Sequence, residues 1–165
     1  MPESFFGRIL DVDAAIAWRQ AQGRDARCVV FTNGCFDVLH AGHVAYLAWA
    51  RAQGDALVLG LNSDESVRLL KGDLRPIVPF AERARILAAL RSVDVVVGFG
   101  EATPEALLGR LRPDIHVKSA QYREEDLPER VVVQAYGGRI LLAPHQEGVS
   151  TSDTIARIVQ RYSLK

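Results

Sequence analysis

The sequence predicts an α/β fold: a single Rossmann-like, doubly wound domain with a five-stranded, mainly parallel sheet and helices on both faces. Short apolar runs rich in β-branched residues alternate with stretches in which apolar residues recur at helical spacing. The runs lack a polar–apolar alternation, so both faces of these strands are expected to be covered. Repeated strand, helix and strand favours parallel strands joined by right-handed crossovers.

Five segments have the composition of buried strands. In chain order they are Cys28–Thr32, Ala56–Leu61, Val93–Val97, Asp114–Lys118 and Arg139–Leu142. Helices are predicted between and around them from apolar stripes. These stripes are Val44, Leu47 and Ala48 in the first crossover, Ile86, Leu87 and Leu90 in a later one, and Ile155, Ile158, Val159 and Tyr162 near the end. A further helix is expected before the first strand, from Val12 to Gln22.

Length and composition indicate one domain. A chain of 165 residues with 48% hydrophobic residues can build a single core without a metal or disulfide. We expect one domain over residues 1–165, with an N-terminal helical extension at 1–26 and a Rossmann-like core at 27–165.

Charge and cysteine content narrow the class of partner. Lys plus Arg equals Asp plus Glu at 20 each, so no overall field favours a nucleic acid. No apolar run approaches a membrane span, and the first residues do not resemble a signal peptide. Cys28 and Cys35 are expected at opposite ends of a strand, too far apart for a disulfide, and two free thiols suit a reducing compartment. We therefore expect a cytoplasmic protein that binds neither nucleic acid nor membrane.

Polar, small and cationic residues follow the predicted strands. Ligands of open α/β sheets bind beyond the carboxyl ends of the strands, so these residues predict a site. They are Asn33–His43 after the first strand, Asn62–Asp64 after the second, Lys118–Gln121 after the fourth and Pro144–Ser152 after the fifth.

The sharpest motif is His40-Ala41-Gly42-His43 at a predicted helix start. A spacing of three residues can put both imidazoles on one side of the helix, where Gly42 allows close approach of a ligand. The free amides and dipole of the helix N-terminus favour an anion there. The alternative, a pair of surface or metal-binding histidines, is disfavoured by this setting, and zinc lacks a full ligand set.

Other candidates have ordinary structural alternatives. Ser150-Thr151-Ser152 can cap a helix and can also hold terminal phosphates. Lys71 and Arg75 lie in a long loop, where cations are usually solvated but long loops are often functional. Lys118 ends an apolar strand at the ligand edge, where an unpaired ammonium is unusual. The thiol of Cys35 has no base partner in the sequence, which argues against covalent catalysis.

The segment Thr32-Asn33-Gly34-Cys35-Phe36-Asp37-Val38-Leu39-His40-Ala41-Gly42-His43 resembles the cytidylyltransferase-like nucleotidyltransferases with a His-x-Gly-His signature. Within them the chain is most similar to the heptose 1-phosphate adenylyltransferases, over about Val29 to Ile158. Further matching segments are Gly60–Asp64, Leu70–Gly72, Arg75–Ile77, Arg112–Asp114 and Ala135–Gly138.

The resemblance implies transfer of AMP from ATP to a sugar 1-phosphate, with Mg²⁺ as cofactor, release of pyrophosphate and an ADP-sugar product. It implies catalytic roles for His40, His43 and Lys71. Predicted nucleotide-binding residues are Thr32, Asn33, Gly34, Cys35, Phe36, Gly42, Lys118, Glu147, Ser150, Thr151 and Ser152. Predicted acceptor-binding residues are Asp37, Asn62, Asp64 and Arg75. No protein ligand to a metal is expected, and the family suggests a homo-oligomer.

One segment departs from the family pattern. Lys118-Ser119-Ala120-Gln121-Tyr122 stands where the family usually has Lys-Gly-Gly-Asp-Tyr. Two alternatives therefore stay open: a cytidylyltransferase or adenylyltransferase for another acceptor, such as glycerol phosphate or phosphoethanolamine, and a non-catalytic nucleotide-binding homologue. A dinucleotide-dependent oxidoreductase is disfavoured because no Gly-x-Gly-x-x-Gly follows the first strand.

Overall fold

The computed structural model of the chain describes residues 7–144 and 150–163. The strands are β1 (Arg8–Leu10), β2 (Val29–Gly34), β3 (Ala56–Asn62), β4 (Val95–Phe99), β5 (Ile115–Ser119) and β6 (Arg139–Ala143). The helices are α1 (Val12–Arg24), α2 (Ala41–Arg51), α3 (Asp64–Lys71), α4 (Phe80–Ala88), α5 (Glu105–Leu111), α6 (Arg130–Ala135) and α7 (Thr151–Tyr162), with a 3₁₀ turn at Glu124–Asp126.

The strands form one parallel sheet in the order β1-β4-β3-β2-β5-β6. The predicted fold class is confirmed, but the predicted count of five strands is wrong. The sixth strand, β1, lies in the segment expected to be only helical and pairs with β4, where Arg8 faces Val95. The backbone amides of Gly7 and Arg8 also donate hydrogen bonds, to the carbonyls of Ala88 and Asp94 respectively, and these attach the start of β1 to the rest of the domain. A strand of three residues is too short to show any period in the sequence.

Two apolar layers cover the sheet. Successive side chains of a strand point to opposite faces, so Val30 packs with α2 and α4 while Phe31 packs with α1, α5 and α6. Leu47 on α2 and Leu108 on α5 are both fully buried and represent the two layers. Burial on both faces explains why the strand sequences show no alternation.

The order of the strands creates a switch point. From β2 the chain builds outward through β3 to β4, and then α5 carries it across to β5 on the other side of β2. The connections on the two sides of β2 diverge, which leaves a crevice beyond the carboxyl ends of β2 and β5. Within the described residues, no helix combines the length and the apolar character needed to cross a bilayer.

Candidate functional site

A cleft of about 800 Å³ lies at the switch point, beyond the carboxyl ends of β2 and β5. Most of the predicted site residues line it: Asn33, Gly34, Cys35, Phe36, Asp37, His40, Gly42, His43, Asn62, Lys71, Arg75, Lys118, Ser150, Thr151 and Ser152. Thr32 and Asp64 are not in the lining, and Glu147 lies outside the described residues.

His40 and His43 stack on each other at the start of α2. His40 is the N-cap, with an extended backbone, and its Nδ1 accepts a hydrogen bond from the backbone amide of His43 at 3.4 Å. The two imidazole rings are 3.7 Å apart between centroids and inclined by 22°. Since Nδ1 of His40 is an acceptor, its proton sits on Nε2, which can donate to a ligand.

Both imidazoles are held in the neutral form. Burial, and then the neighbouring His40, lower the pKa of His43 to about 4, and burial lowers the pKa of His40. The Nδ1 atom of His43 is buried and has no hydrogen-bond partner among the described residues. A neutral His43 ring that carries its proton on Nε2 has only a lone pair on Nδ1, so no N–H group is left without an acceptor at that buried position. Each histidine then offers an Nε2–H donor without carrying a charge.

Phe36 shapes the wall beside His43. Its ring meets the His43 ring edge-on, with centroids 5.1 Å apart at 62°. The backbone of Phe36 is left-handed, with φ of 43°, a conformation that non-glycine residues adopt at a cost. Gly34 lies under the ring, and a Cβ there would come within 2.9 Å of it. The glycine is therefore required for Phe36 to pack where it does.

The N-terminus of α7 reaches the same cleft. Ser150 caps the helix by accepting the amide of Asp153 at 3.0 Å, so the capping interpretation is confirmed. The hydroxyl of Thr151 donates to the carbonyl of Val38 at 3.3 Å, which ties α7 to the loop before α2. Two helix N-termini with free amides thus lie at one cleft, an arrangement suited to several negatively charged groups.

Asp37 fastens the loop after α3. Its carboxylate accepts the amides of Ile77 at 2.9 Å and Val78 at 2.8 Å, and it forms an ion pair with Arg75. Burial opposes ionisation, but these hydrogen bonds outweigh it and lower the pKa of Asp37. Asp37 and Arg75, two of the four predicted acceptor-binding residues, are thus bonded to each other at the cleft wall. Their role toward an acceptor stays a prediction.

Lys71 and Lys118 lie in different electrostatic surroundings. Lys71 ends α3, is exposed, and has no ion-pair partner among residues 7–144 and 150–163. The ammonium of Lys118 is paired: its Nζ lies 3.0 Å from Oε1 of Glu129 and 3.4 Å from Oδ1 of Asn33. The partner could not be foreseen because Glu129 follows a surface run of acidic residues.

The family comparison agrees with this architecture: residues 31–157 match the cytidylyltransferase-like family. The chain belongs to this family. The match includes most of β2, the histidine pair on α2 and most of α7, the elements that surround the cleft.

Curated relatives of this cytidylyltransferase-like chain are bifunctional HldE proteins. The one from Pelobacter propionicus is 49% identical over 94% of this chain and 32% of its own length. The one from Geobacter sulfurreducens is 52% identical over 93% of this chain and 31% of its own length. The chain therefore spans about a third of the length of the curated relatives that it matches.

Solved structures share the fold at lower identity. The lipopolysaccharide core biosynthesis protein of Thermoplasma volcanium is 24% identical, with a TM-score of 0.61 over 74% of this chain and 99% of its own. Pantothenate synthetase of Thermus thermophilus is 16% identical, with a TM-score of 0.63 over 89% of this chain and 67% of its own. At this identity they support the architecture alone.

Sequence reasoning missed Arg83, which holds the loops of this cytidylyltransferase-like cleft together. It is only 1% exposed and donates to the carbonyls of Cys35 at 2.6 Å, Asn62 at 3.0 Å and Val78 at 2.9 Å. It also forms an ion pair with Asp64 at 2.7 Å, so Asp64 is committed to this support. An arginine in the segment Ala-Glu-Arg-Ala-Arg has the pattern of an exposed helix face, so no signal marked it.

Tyr46 on α2 and Thr32 on β2 form hydrogen bonds to each other and to β5 beneath the cleft. Their hydroxyls are 2.7 Å apart, and both lie within hydrogen-bond distance of the Val117 carbonyl, at 3.1 Å for Tyr46 and 3.0 Å for Thr32. Burial raises the pKa of Tyr46 to about 12. Thr32 was predicted to bind nucleotide; the structure places it beneath the cleft, where its hydroxyl joins two strands and α2.

Glu129 was also missed. Its side chain is 2% exposed, and its Oε1 takes Lys118 together with Nε2 of His116, at 3.2 Å. Burial alone would raise the pKa of Glu129, but the hydrogen bond from His116 and the charge of Lys118 hold it at about 2. Burial lowers the pKa of His116, so this imidazole is a neutral donor to the carboxylate.

Proposed function

We propose that the chain is a nucleotidyltransferase that transfers AMP from ATP to a sugar 1-phosphate, D-glycero-β-D-manno-heptose 1-phosphate, with release of pyrophosphate and formation of an ADP-sugar. One observation carries the proposal. A stacked pair of neutral histidines at the N-terminus of α2 shares one cleft with the N-terminus of α7, in a cytidylyltransferase-like domain.

The reaction is an in-line displacement at phosphorus. An oxygen of the sugar phosphate forms a bond to the α-phosphorus of ATP, and the bond from that phosphorus to the α,β-bridging oxygen breaks. The electron pair leaves with pyrophosphate, and no proton needs to move. A phosphate monoester has a second pKa of roughly 6, so the attacking group is already mostly dianionic at neutral pH. The chemistry requires no general base.

The side chains of the cleft match that requirement. Neither imidazole is a strong base, because the pKa of each is lowered. Burial raises the pKa of the Cys35 thiol, which makes the thiolate scarce and argues against a covalent route. What remains is positioning and stabilisation of the charge that builds on the phosphate oxygens. His40, His43 and the amides of α2 donate hydrogen bonds to them, and Lys71 supplies a positive charge.

Mg²⁺ is part of the proposal as a partner of the nucleotide. No group of three acidic, histidine or cysteine side chains with metal-binding geometry occurs in residues 7–144 and 150–163. The carboxylates of Asp37 and Glu129 are engaged with cations. The cleft residues therefore fit a Mg²⁺ ion that would keep most of its water ligands and would bind chiefly through the substrate phosphates. The ion would neutralise part of the phosphate charge.

The identity of the acceptor is the more specific part of the proposal. It rests on the resemblance to heptose 1-phosphate adenylyltransferases and on the HldE relatives. We place the reaction in the cytoplasm, because free thiols such as Cys28 and Cys35 suit a reducing compartment.

A pyrophosphate-release assay tests the proposal. ATP, CTP and GTP are each combined with heptose 1-phosphate, glycerol phosphate and phosphoethanolamine, and the nucleotide product is identified by mass. We expect turnover with ATP and heptose 1-phosphate. Turnover with CTP and one of the alcohol phosphates would instead identify a cytidylyltransferase. Binding of ATP without turnover on any acceptor would identify a non-catalytic homologue.

A further inference from the structure

A chain of three polar side chains runs from the protein interior to the β5 wall of the cleft. Nε2 of His116 donates to Oε1 of Glu129 at 3.2 Å, and the same oxygen is 3.0 Å from Nζ of Lys118. His116 is fully buried and Glu129 almost so, whereas Lys118 is 14% exposed; Lys118 and Glu129 both contribute to the cleft lining. The chain therefore leads from the protein interior to one donor group at the surface of the site.

The ammonium of Lys118 is restrained from several sides. Besides Glu129, it lies 3.4 Å from Oδ1 of Asn33 at the end of β2 and 5.1 Å from the centre of the Tyr122 ring. A lysine side chain normally has considerable rotational freedom, and these contacts remove much of it before a ligand arrives. A donor that is already oriented loses less entropy on binding.

The burial of Glu129 is costly for stability alone. Taking a carboxylate out of water is expensive, and a buried ion pair is often no more stabilising than apolar residues of the same size. The carboxylate of Glu129 is nevertheless buried with His116 behind it, and its charge compensates that of Lys118. Lys71, across the cleft, has no ion-pair partner in the described part of the chain. The positive charge of Lys118 is thus compensated by Glu129, whereas no ion pair in the described part of the chain compensates that of Lys71.

We propose that Glu129 is a positioning residue: with His116 behind it, Glu129 holds the Lys118 ammonium at the end of β5 as a fixed, charge-compensated hydrogen-bond donor toward the bound substrates. Lys71 in turn supplies the uncompensated positive charge. The proposal deepens the proposed function and rests on it.

A double-mutant cycle tests the coupling. Glu129→Gln keeps the shape and removes the charge, and we expect kcat/KM to fall roughly 10- to 100-fold because the donor is misplaced. Lys118→Met should have a similar effect. In the Lys118→Met background, Glu129→Gln should cause little further loss, since the group that it positions is gone. A full additional loss in the double variant would show a merely structural role and overturn the proposal.

Matched controls keep the cycle interpretable. Glu125→Gln removes an equal charge from the exposed part of the same segment and should leave kcat/KM unchanged. Glu129→Asp retains the carboxylate and should recover part of the activity lost in Glu129→Gln. Equal activities of Glu129→Asp and Glu129→Gln would contradict a role for the carboxylate.

A second measurement does not depend on turnover. A lysine ammonium held by hydrogen bonds exchanges its protons slowly enough to be observed by ¹⁵N-edited NMR, so the wild-type protein should show a Lys118 ammonium signal. The signal should disappear in Glu129→Gln and persist in Glu125→Gln. If the signal is present and the wild type lacks turnover, the proposed function fails while the positioning geometry stands. A wild-type spectrum without the signal would refute the positioning itself.

Discussion

His40 and His43 stack with their ring centroids 3.7 Å apart, and the second ring lies against the edge of Phe36. Two unit charges about 4 Å apart repel by roughly 4 kcal/mol in surroundings typical of a protein surface, so a doubly protonated pair is unfavourable. The stack therefore selects neutral imidazoles, which act as hydrogen-bond donors without depending on a proton taken up near neutral pH.

The stability of the protein should report this state of His43. Its pKa is about 4 in the folded protein and about 6.5 when unfolded, so the unfolded chain binds the proton first as the pH falls. The stabilisation is complete above about pH 6.5 and is lost as the pH falls toward 4, by at most about 1.4 kcal/mol per pH unit. Urea unfolding at about pH 7 and pH 5 should show a smaller loss for His43→Asn than for the wild type. Equal losses would contradict the assigned state.

Removing the donor should impair catalysis without unfolding the protein. We expect His43→Ala to lower the rate of pyrophosphate release by about 10²-fold or more, the scale of a lost oxyanion donor. Val44→Ala, at the next position and 42% exposed, is the matched control and should retain activity. Release of pyrophosphate by His43→Ala at a rate near that of wild type would count heavily against the proposed mechanism.

Lys71 should contribute through its charge. Loss of a charge-assisted hydrogen bond of about 1.5–3 kcal/mol corresponds to a decrease in kcat/KM of roughly 10- to 100-fold for Lys71→Met. The dependence of KM for ATP on salt should also weaken, since an uncompensated cation has been removed. Arg68→Met removes the same charge one turn earlier on α3, outside the cleft lining. Indistinguishable kinetics for the two variants would argue against a specific role for Lys71.

Arg83 should be essential to the loops that form the cleft. Arg83→Met leaves the carbonyls of Cys35, Asn62 and Val78 without their donor, and we expect a loss of about 3–5 kcal/mol in the free energy of unfolding. Arg85→Met, on the exposed side of the same helix, should change it by about 0.5 kcal/mol or less. Chemical denaturation of both variants measures these changes in the free energy of unfolding. Equal values for the two variants would show that the loops do not need Arg83.

Much of the fold was predictable from local pattern. The strands β2 to β6 were placed within two residues of their observed ends, because fully buried strands leave continuous apolar runs. The crevice followed from parallel topology, which collects the residues after each strand at one edge. The short helices α3, α5 and α6 were not assigned, since segments of about two turns carry too few apolar positions to establish a period.

The supporting residues of the cleft were not predictable from sequence. Arg83, Glu129 and Tyr46 act through contacts with residues distant along the chain, and each has an ordinary exposed or apolar sequence setting. Lys118 was noticed for its position at the end of β5, but its partner depends on how the segment before α6 folds back. Such pairings are set by tertiary structure, so most residues that line the cleft were predicted while the residues that support them were not.

The contact between Asn33 and Lys118 joins strands from the two halves of the sheet, at positions 85 residues apart in the chain. A ligand that spans these strand ends can be bound only by molecules in which both halves have come together, so partly folded forms compete poorly for it. Binding of nucleotide across these strand ends would then raise the stability of the entire domain by mass action, rather than the stability of one loop.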